Sequence, residues 1–190
     1  MTVAFVLGNG QSRKNIDLTS LRGHGRIYGC NALYRDFEPD VLVAADRAIS
    51  EQIQHSGYAK THCFYTRKPI PELGALRVPD PYWGFSSGQI GLALACLADH
   101  TTVYLLGYDL GSVTDQFNNV YAGTEFYKAV SARPTYAGNW IKQTIRIAQD
   151  FPRTQIVRIM AAESAPTVEF DRISNISHLP LNQFFQQFGS

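Results

Sequence analysis

At 190 residues, with 45% hydrophobic and 17% charged residues, the chain has the length and balance of one globular domain and excludes a disordered tail. Its 17 Lys and Arg against 16 Asp and Glu leave a formal net charge of +1, and the cations are scattered, which argues against a nucleic-acid partner. The N-terminus has no basic leader and its apolar run is far below spanning length, so a cytoplasmic protein without a membrane span is expected.

Val3 to Leu7 is a continuous apolar run ended by glycine, the pattern of a strand buried on both faces. Arg26 to Gly29 and Val41 to Ala45 repeat it, each ending in a small or polar cluster. Between the first two, Asn15 to Leu21 reads either as a short helix or as an irregular crossover. Ala48 to Gln54 fits a helix stopped by Ser56 and Gly57, and His62 to Tyr65 a fourth strand. Thr66 to Trp83, rich in proline and without periodicity, predicts a long loop at about 66–86.

Ser87 to Ala98 is an almost wholly apolar helix that must be covered on most faces, and Val103 to Leu106 is the strand it feeds. A second long loop is expected at about 108–138, before a helix from Asn139 to about Phe151. Gln155 to Ile159 reads as a strand and Leu181 to Phe188 as a terminal helix. This alternation predicts a single α/β domain over 1–190: a Rossmann-like, open, mostly parallel sheet with helices on both faces. Cys30, Cys63 and Cys96 fit free thiols, and the five histidines share no ligand spacing, so no metal site is expected.

Small and polar residues recur at the strand ends, where ligands bind in such sheets. They are Gly8, Asn9, Gly10 and Ser12, then Asn31, then Asp46, then Gly107, Tyr108 and Asp109. The glycines of GNGQSR would allow positive φ and close approach of backbone amides to a phosphate; a tight strand-to-helix turn fits the loop equally well. Arg13 stands where the dinucleotide fingerprint needs its third glycine, and Lys14 is not followed by the Ser or Thr of a P-loop. Ser86, Ser87 and Gly88 open the apolar helix and offer a second anion site at its positive end, or simply its cap. Asp46 and Asp109 suit a ribose hydroxyl or Mg²⁺, or simply a helix cap, the common role of an aspartate after a strand.

The motifs GNGQS, CNALY, VAAD, SSGQIGLALACLA, LLGYDL and YAGN resemble those of the bacterial lipooligosaccharide sialyltransferases. More distantly, they resemble the pterin diphosphokinase-like family of unknown function; the likeness spans roughly Val3 to Ile159. The resemblance implies transfer from a CMP-sugar without a cofactor, with Asn9, Asn31, Asp46, Ser87, Gly88 and Asp109 at the nucleotide contacts. It marks Tyr121 and Tyr136 for leaving-group stabilisation and puts Asn139 where that family has a histidine base. Asparagine cannot take that proton, and His62 is the substitute the sequence offers. A tyrosine expected after the LLGYDL aspartate is here Gly111.

Three functions follow as expectations. The first is a sialyltransferase-like glycosyltransferase that takes a small-molecule nucleotide-sugar. The second is a diphosphokinase in which Asp46 and Asp109 hold Mg²⁺ on ATP, and the third a non-catalytic nucleotide binder. The compact size also suits a minimal domain of the kind bacteriophage genomes carry. Tyr82, Trp83, Phe117 and Tyr127 would either cover the ligand or form a homo-oligomer interface.

Overall fold

A computed structural model describes residues 2–189; Met1 and Ser190, the ends of the span expected to form one domain, lie outside the described residues. Among the described residues eight strands form one sheet in the order β5-β4-β3-β2-β1-β6-β7-β8, and every neighbouring pair is parallel. They are β1 (Val3–Leu7), β2 (Arg26–Cys30), β3 (Val41–Ala44), β4 (Phe64–Thr66), β5 (Leu76–Arg77), β6 (Thr102–Leu106), β7 (Gln155–Met160) and β8 (Ile176–Pro180). The helices are α1 (Arg47–His55), α2 (Ser87–Leu97), α3 (Gly138–Asp150) and α4 (Leu181–Phe188). This is the Rossmann-like α/β arrangement expected from the alternation.

The central strands divide their side chains between two cores, as the two-residue period requires. Ala4 and Val6 of β1, Val41 and Val43 of β3, and Val103 and Leu105 of β6 pack with α2 and α3 on one face. Phe5 and Leu7, Leu42 and Ala44, and Leu106 face the other core, with Ile49 and Ile53 of α1 and Phe184 of α4. Because both faces are covered, the strands read as unbroken apolar runs. α2 buries Gln89 through Cys96 without a break, since it crosses the face of β1, β2 and β3 before entering β6.

Several elements differ from expectation. Asn15 to Leu21, which the sequence leaves open between a short helix and an irregular crossover, contains a short 3-10 turn, Leu18–Leu21, capped by Asp17: Thr19 N–H donates to Asp17 Oδ1 at 2.9 Å. β4 begins at Phe64, so His62 precedes it. β5 and a turn at Tyr82–Gly84 occupy the first long loop. β8 is an edge strand with one buried residue, which leaves it no hydrophobic pattern to read. Among the described residues no helix is long and apolar enough to cross a membrane.

Candidate functional site

The chain builds β1 to β5 outward on one side, then returns through α2 to place β6 on the other side of β1. The order therefore reverses between β1 and β6, and loops leaving those two strands in opposite directions open a crevice at their carboxyl ends. A cleft of about 320 Å³ lies there, lined among others by Gly8, Asn9 and Gly10, by Gly107 and Tyr108, and by Asn31, Ser87 and Gly88.

The glycines serve close packing between the two loops. Gly8 N–H donates to Leu106 O at 2.8 Å and Gly10 N–H to Gly107 O at 2.9 Å. A Cβ on Gly8 would lie 2.5 Å from Gly107 O, and one on Gly10 would lie 2.5 Å from the Asp109 carboxylate. The positive φ expected at Gly8 and Gly10 falls elsewhere, on Gly107 (68°) and Asn31 (52°), while Gly10 is extended at −65°. The loop is thus a β-like run after β1, followed by a 3-10 turn at Gln11–Arg13.

Three polar side chains hold this wall from below. Arg13, buried, donates from Nε to Gly8 O at 2.5 Å and from Nη2 to Asn9 Oδ1 at 2.9 Å and Tyr121 Oη at 3.2 Å. Asp109, also buried, accepts from Ser12 N–H at 3.1 Å and Ser164 Oγ at 3.4 Å. Arg158, fully buried in β7, donates to Tyr108 O at 2.7 Å, Asp109 O at 2.8 Å, Ala165 O at 3.0 Å and Thr167 Oγ1 at 2.9 Å. Burial pushes its pKa down to about 10, so it remains a cation at neutral pH.

The opposite wall is the start of α2. Ser87 Oγ accepts from Ala45 N–H at 2.9 Å and donates to Asn31 Oδ1 at 2.8 Å, tying the ends of β3 and β2 to the helix. Ser86 makes no side-chain cap, and its N–H donates to Gln143 Oε1 of α3 at 2.9 Å. The first-turn amides of Ser87, Gly88 and Gln89 have no intrahelical acceptor, and all three residues line the cleft. They make the positive end of a helix dipole one wall of the cavity.

With this geometry in place, the fold proves similar to that of the sialyltransferase CstII from Campylobacter jejuni, solved in complex with the substrate analogue cytidine-5'-monophosphate. The TM-score is 0.52 at 15% sequence identity, over 92% of this chain and 84% of that one. The likeness is one of fold. No family model and no curated protein matches the sequence.

Two charged side chains also line the cleft, Asp46 after β3 and Arg67 after β4. Arg67 grips the 82–85 turn, donating from Nε to Trp83 O at 2.9 Å and from Nη2 to Gly84 O at 3.2 Å and Phe85 O at 2.7 Å. The segment 117–128 closes one flank: Val120 N–H donates to Asn9 O at 2.8 Å, Gln11 N–H to Asn118 Oδ1 at 2.8 Å, and Gln11 Nε2 to Asn119 O at 2.8 Å.

Of the residues expected at the site, Gly8, Asn9, Gly10, Asn31, Asp46, Ser87 and Gly88 are brought together around the cleft. Ser12 and Asp109 lie beneath it, engaged with each other, so Asp46 and Asp109 do not present their carboxylates to one ion. Among the described residues no group of three His, Cys, Asp or Glu side chains could hold a metal ion. Tyr121 is buried as a partner of Arg13, its hydroxyl pushed up to about 12 by burial, and does not line the cleft. Tyr136 is 74% exposed, Asn139 is exposed on α3, and neither lines the cleft.

His62 sits at the amino end of β4, at the opposite sheet edge, stacked on Tyr58 and 3.1 Å from Glu38 Oε1. Tyr82 is buried, donating to Asp150 Oδ2 at 3.1 Å, and Tyr127 accepts from Ala32 N–H at 3.3 Å, so neither is the exposed aromatic expected. Arg67, Asn118, Asn119 and Trp140 line the cleft without having been singled out as site residues. Three of them leave long loops whose course no periodicity predicts. Trp140 had a local signal, since it stands in the first turn of α3 beside Asn139.

Proposed function

We propose that the protein is a nucleotide-binding transferase of the sialyltransferase-like kind, whose donor is a CMP-sugar or a similar sugar activated by one nucleoside phosphate. The observation that carries this reading is the pair of cleft walls: close-packed glycines on one side and the free first-turn amides of α2 on the other, within about 320 Å³. That volume is at the lower end of small-ligand cavities. The amides of Ser87, Gly88 and Gln89 would take the phosphate and stabilise the charge that develops as it departs. Arg67 adds one positive charge at the same cleft.

In this reading Asn9 and Asn31 hold the nucleoside, Gly8 and Gly10 let it approach the strand ends, and Ser87 fixes Asn31 for that contact. Tyr121 supports the loop through Arg13. Ser12 and Asp109 contribute by holding the loop down. Two helical features, the amides and the dipole, supply the charge stabilisation, so the proposed transfer is metal-independent.

A thermal-shift series tests it, because a ligand that binds the native state must raise its melting temperature. CMP and a CMP-sugar in EDTA should stabilise the protein. Stabilisation only by ATP with Mg²⁺ would refute the reading, and so would no shift with any nucleotide. Stabilisation by CMP without turnover of any CMP-sugar would leave a nucleotide binder and remove the transferase.

A further inference from the structure

We propose that Asp46 is the catalytic base of this cleft, accepting the proton of the hydroxyl that attacks the activated sugar. The inference rests on the donor reading above and supplies the group that reading lacks, since Asn139 does not line the cleft and cannot take a proton. Four side chains lining the cleft can titrate: Cys30, Asp46, Arg67 and Tyr108. Cys30 is buried, its thiol pushed up to about 12, and it donates to Leu7 O at 3.4 Å. Tyr108 is buried and its hydroxyl is committed to Gly88 O at 2.7 Å. Arg67 is a cation with no acceptor capacity. Asp46 remains.

Its carboxylate is also free of the duty that its position would ordinarily give it. Asp46 is the N-cap residue of α1, where an aspartate normally accepts from the second or third helical amide, yet it makes no side-chain cap bond. The backbone does the capping turn alone, through Ser50 N–H to Asp46 O at 3.0 Å. Among the described residues no hydrogen bond reaches the carboxylate. The charged groups of the neighbouring elements are otherwise engaged: Arg47 pairs with Glu51 at 2.7 Å on α1, and Arg67 holds the 82–85 turn.

The placement suits an attacking hydroxyl. Ala45, one residue before, is bonded to Ser87, so Asp46 stands beside the proposed phosphate site. Asn9 and Ser87 are buried, whereas Asp46 is exposed at the cleft, open to an incoming molecule. A carboxylate repels a phosphate and accepts from a hydroxyl. In the step, the acceptor oxygen bonds to the anomeric carbon as the bond from that carbon to the phosphate ester oxygen breaks. The electron pair leaves with the nucleoside monophosphate, and the hydroxyl proton passes to Asp46. Water can serve as the acceptor.

The test uses the full chain with CMP-activated sialic acid, follows CMP release to water and to simple glycosides, and compares Asp46→Asn and Asp46→Glu with the parent. The Asn variant should keep its fold by thermal melting and its affinity for CMP, and lose roughly 10²–10⁴-fold in kcat. The acid limb of the parent's pH profile should vanish from its residual rate, and the Glu variant should recover part of the loss. An Asn variant that keeps both rate and acid limb would overturn the assignment. So would one that loses CMP affinity with kcat intact, which is the signature of a ribose contact. A parent that binds CMP but releases none from the donor would overturn it as well. Failure to bind CMP at all would fall on the donor reading itself.

Discussion

Replacing Arg158 by Met removes a fully buried guanidinium and keeps a side chain of similar length. The carbonyls of Tyr108, Asp109 and Ala165 each lose a charged donor, as does Thr167 Oγ1. Of these carbonyls only Tyr108 O is left unpaired among the described residues, because Asp109 O keeps Ala165 N–H at 2.9 Å and Ala165 O keeps Thr167 Oγ1 at 3.3 Å. A hydrogen bond from a charged donor contributes about 1.5–3 kcal/mol, so losing the three to carbonyls costs on the order of 6 kcal/mol. Against this stands relief of the buried charge. The fall of its pKa from 12.5 to about 10 corresponds to roughly 3 kcal/mol of burial cost. The net expectation is a destabilisation of about 3 kcal/mol. Urea unfolding followed by circular dichroism measures it as a lower midpoint at unchanged slope. CMP affinity should fall too, because two of the three carbonyls belong to the wall that carries Gly107 and Tyr108. A loss under about 1 kcal/mol would refute the view that this arginine holds up the cleft.

Gly8→Ala forces a Cβ against Gly107 O, 2.5 Å away, and the two loops must part; a loss of about 1–3 kcal/mol in urea unfolding and weaker CMP binding are expected. Ser87→Ala removes the bonds to Ala45 N–H and Asn31 Oδ1, so about 1–2 kcal/mol of stability should go, and isothermal titration should show reduced CMP affinity. His100, half-buried with Nε2 3.2 Å from Tyr28 Oη, has its pKa lowered from 6.5 by burial and then by Arg26. The unfolded chain binds the proton first, so stability is fully present above about pH 6.5 and falls as the pH drops below it. His100→Gln should flatten that acid limb of the unfolding free energy.

The sheet was legible where burial on both faces forces unbroken apolar runs, as in Val3 to Leu7 or Val103 to Leu106. The edges were not: Leu76–Arg77 is too short for a pattern, and Ile176–Pro180 buries only its first residue. The cleft walls at Gly8 to Gly10, Asn31 and Ser87 to Gly88 could be read because small polar residues recur at the ends of several strands, and in a parallel sheet those ends share one edge. Asp109 shares that position and still lies beneath the loop. Whether a strand-end carboxylate faces a ligand or a backbone amide depends on the partner loop, here Ser12, which sequence spacing does not fix. Arg13 and Arg158 were illegible for a related reason. A buried arginine is specified by the carbonyls around it, and those come from loops distant in sequence.

The departure from the dinucleotide fingerprint explains where the helix-start wall of the cleft stands. In that fingerprint the helix after the first strand turns its N-terminus to the phosphate, and the third glycine lets it pack closely. Here Arg13 fills the third position, and its side chain turns back to Gly8 O and Asn9 Oδ1, ending the segment in a 3-10 turn. No helix N-terminus is left on that side. The chain supplies one instead from α2, the crossover that enters β6, on the other flank of the switch point. Because α2 crosses three strands on its way, its first turn begins over the ends of β2 and β3, which is why Ser87 meets Asn31 and Ala45. The crevice therefore extends from the β1–β6 boundary toward β3, and Asp46 is part of it for the same topological reason.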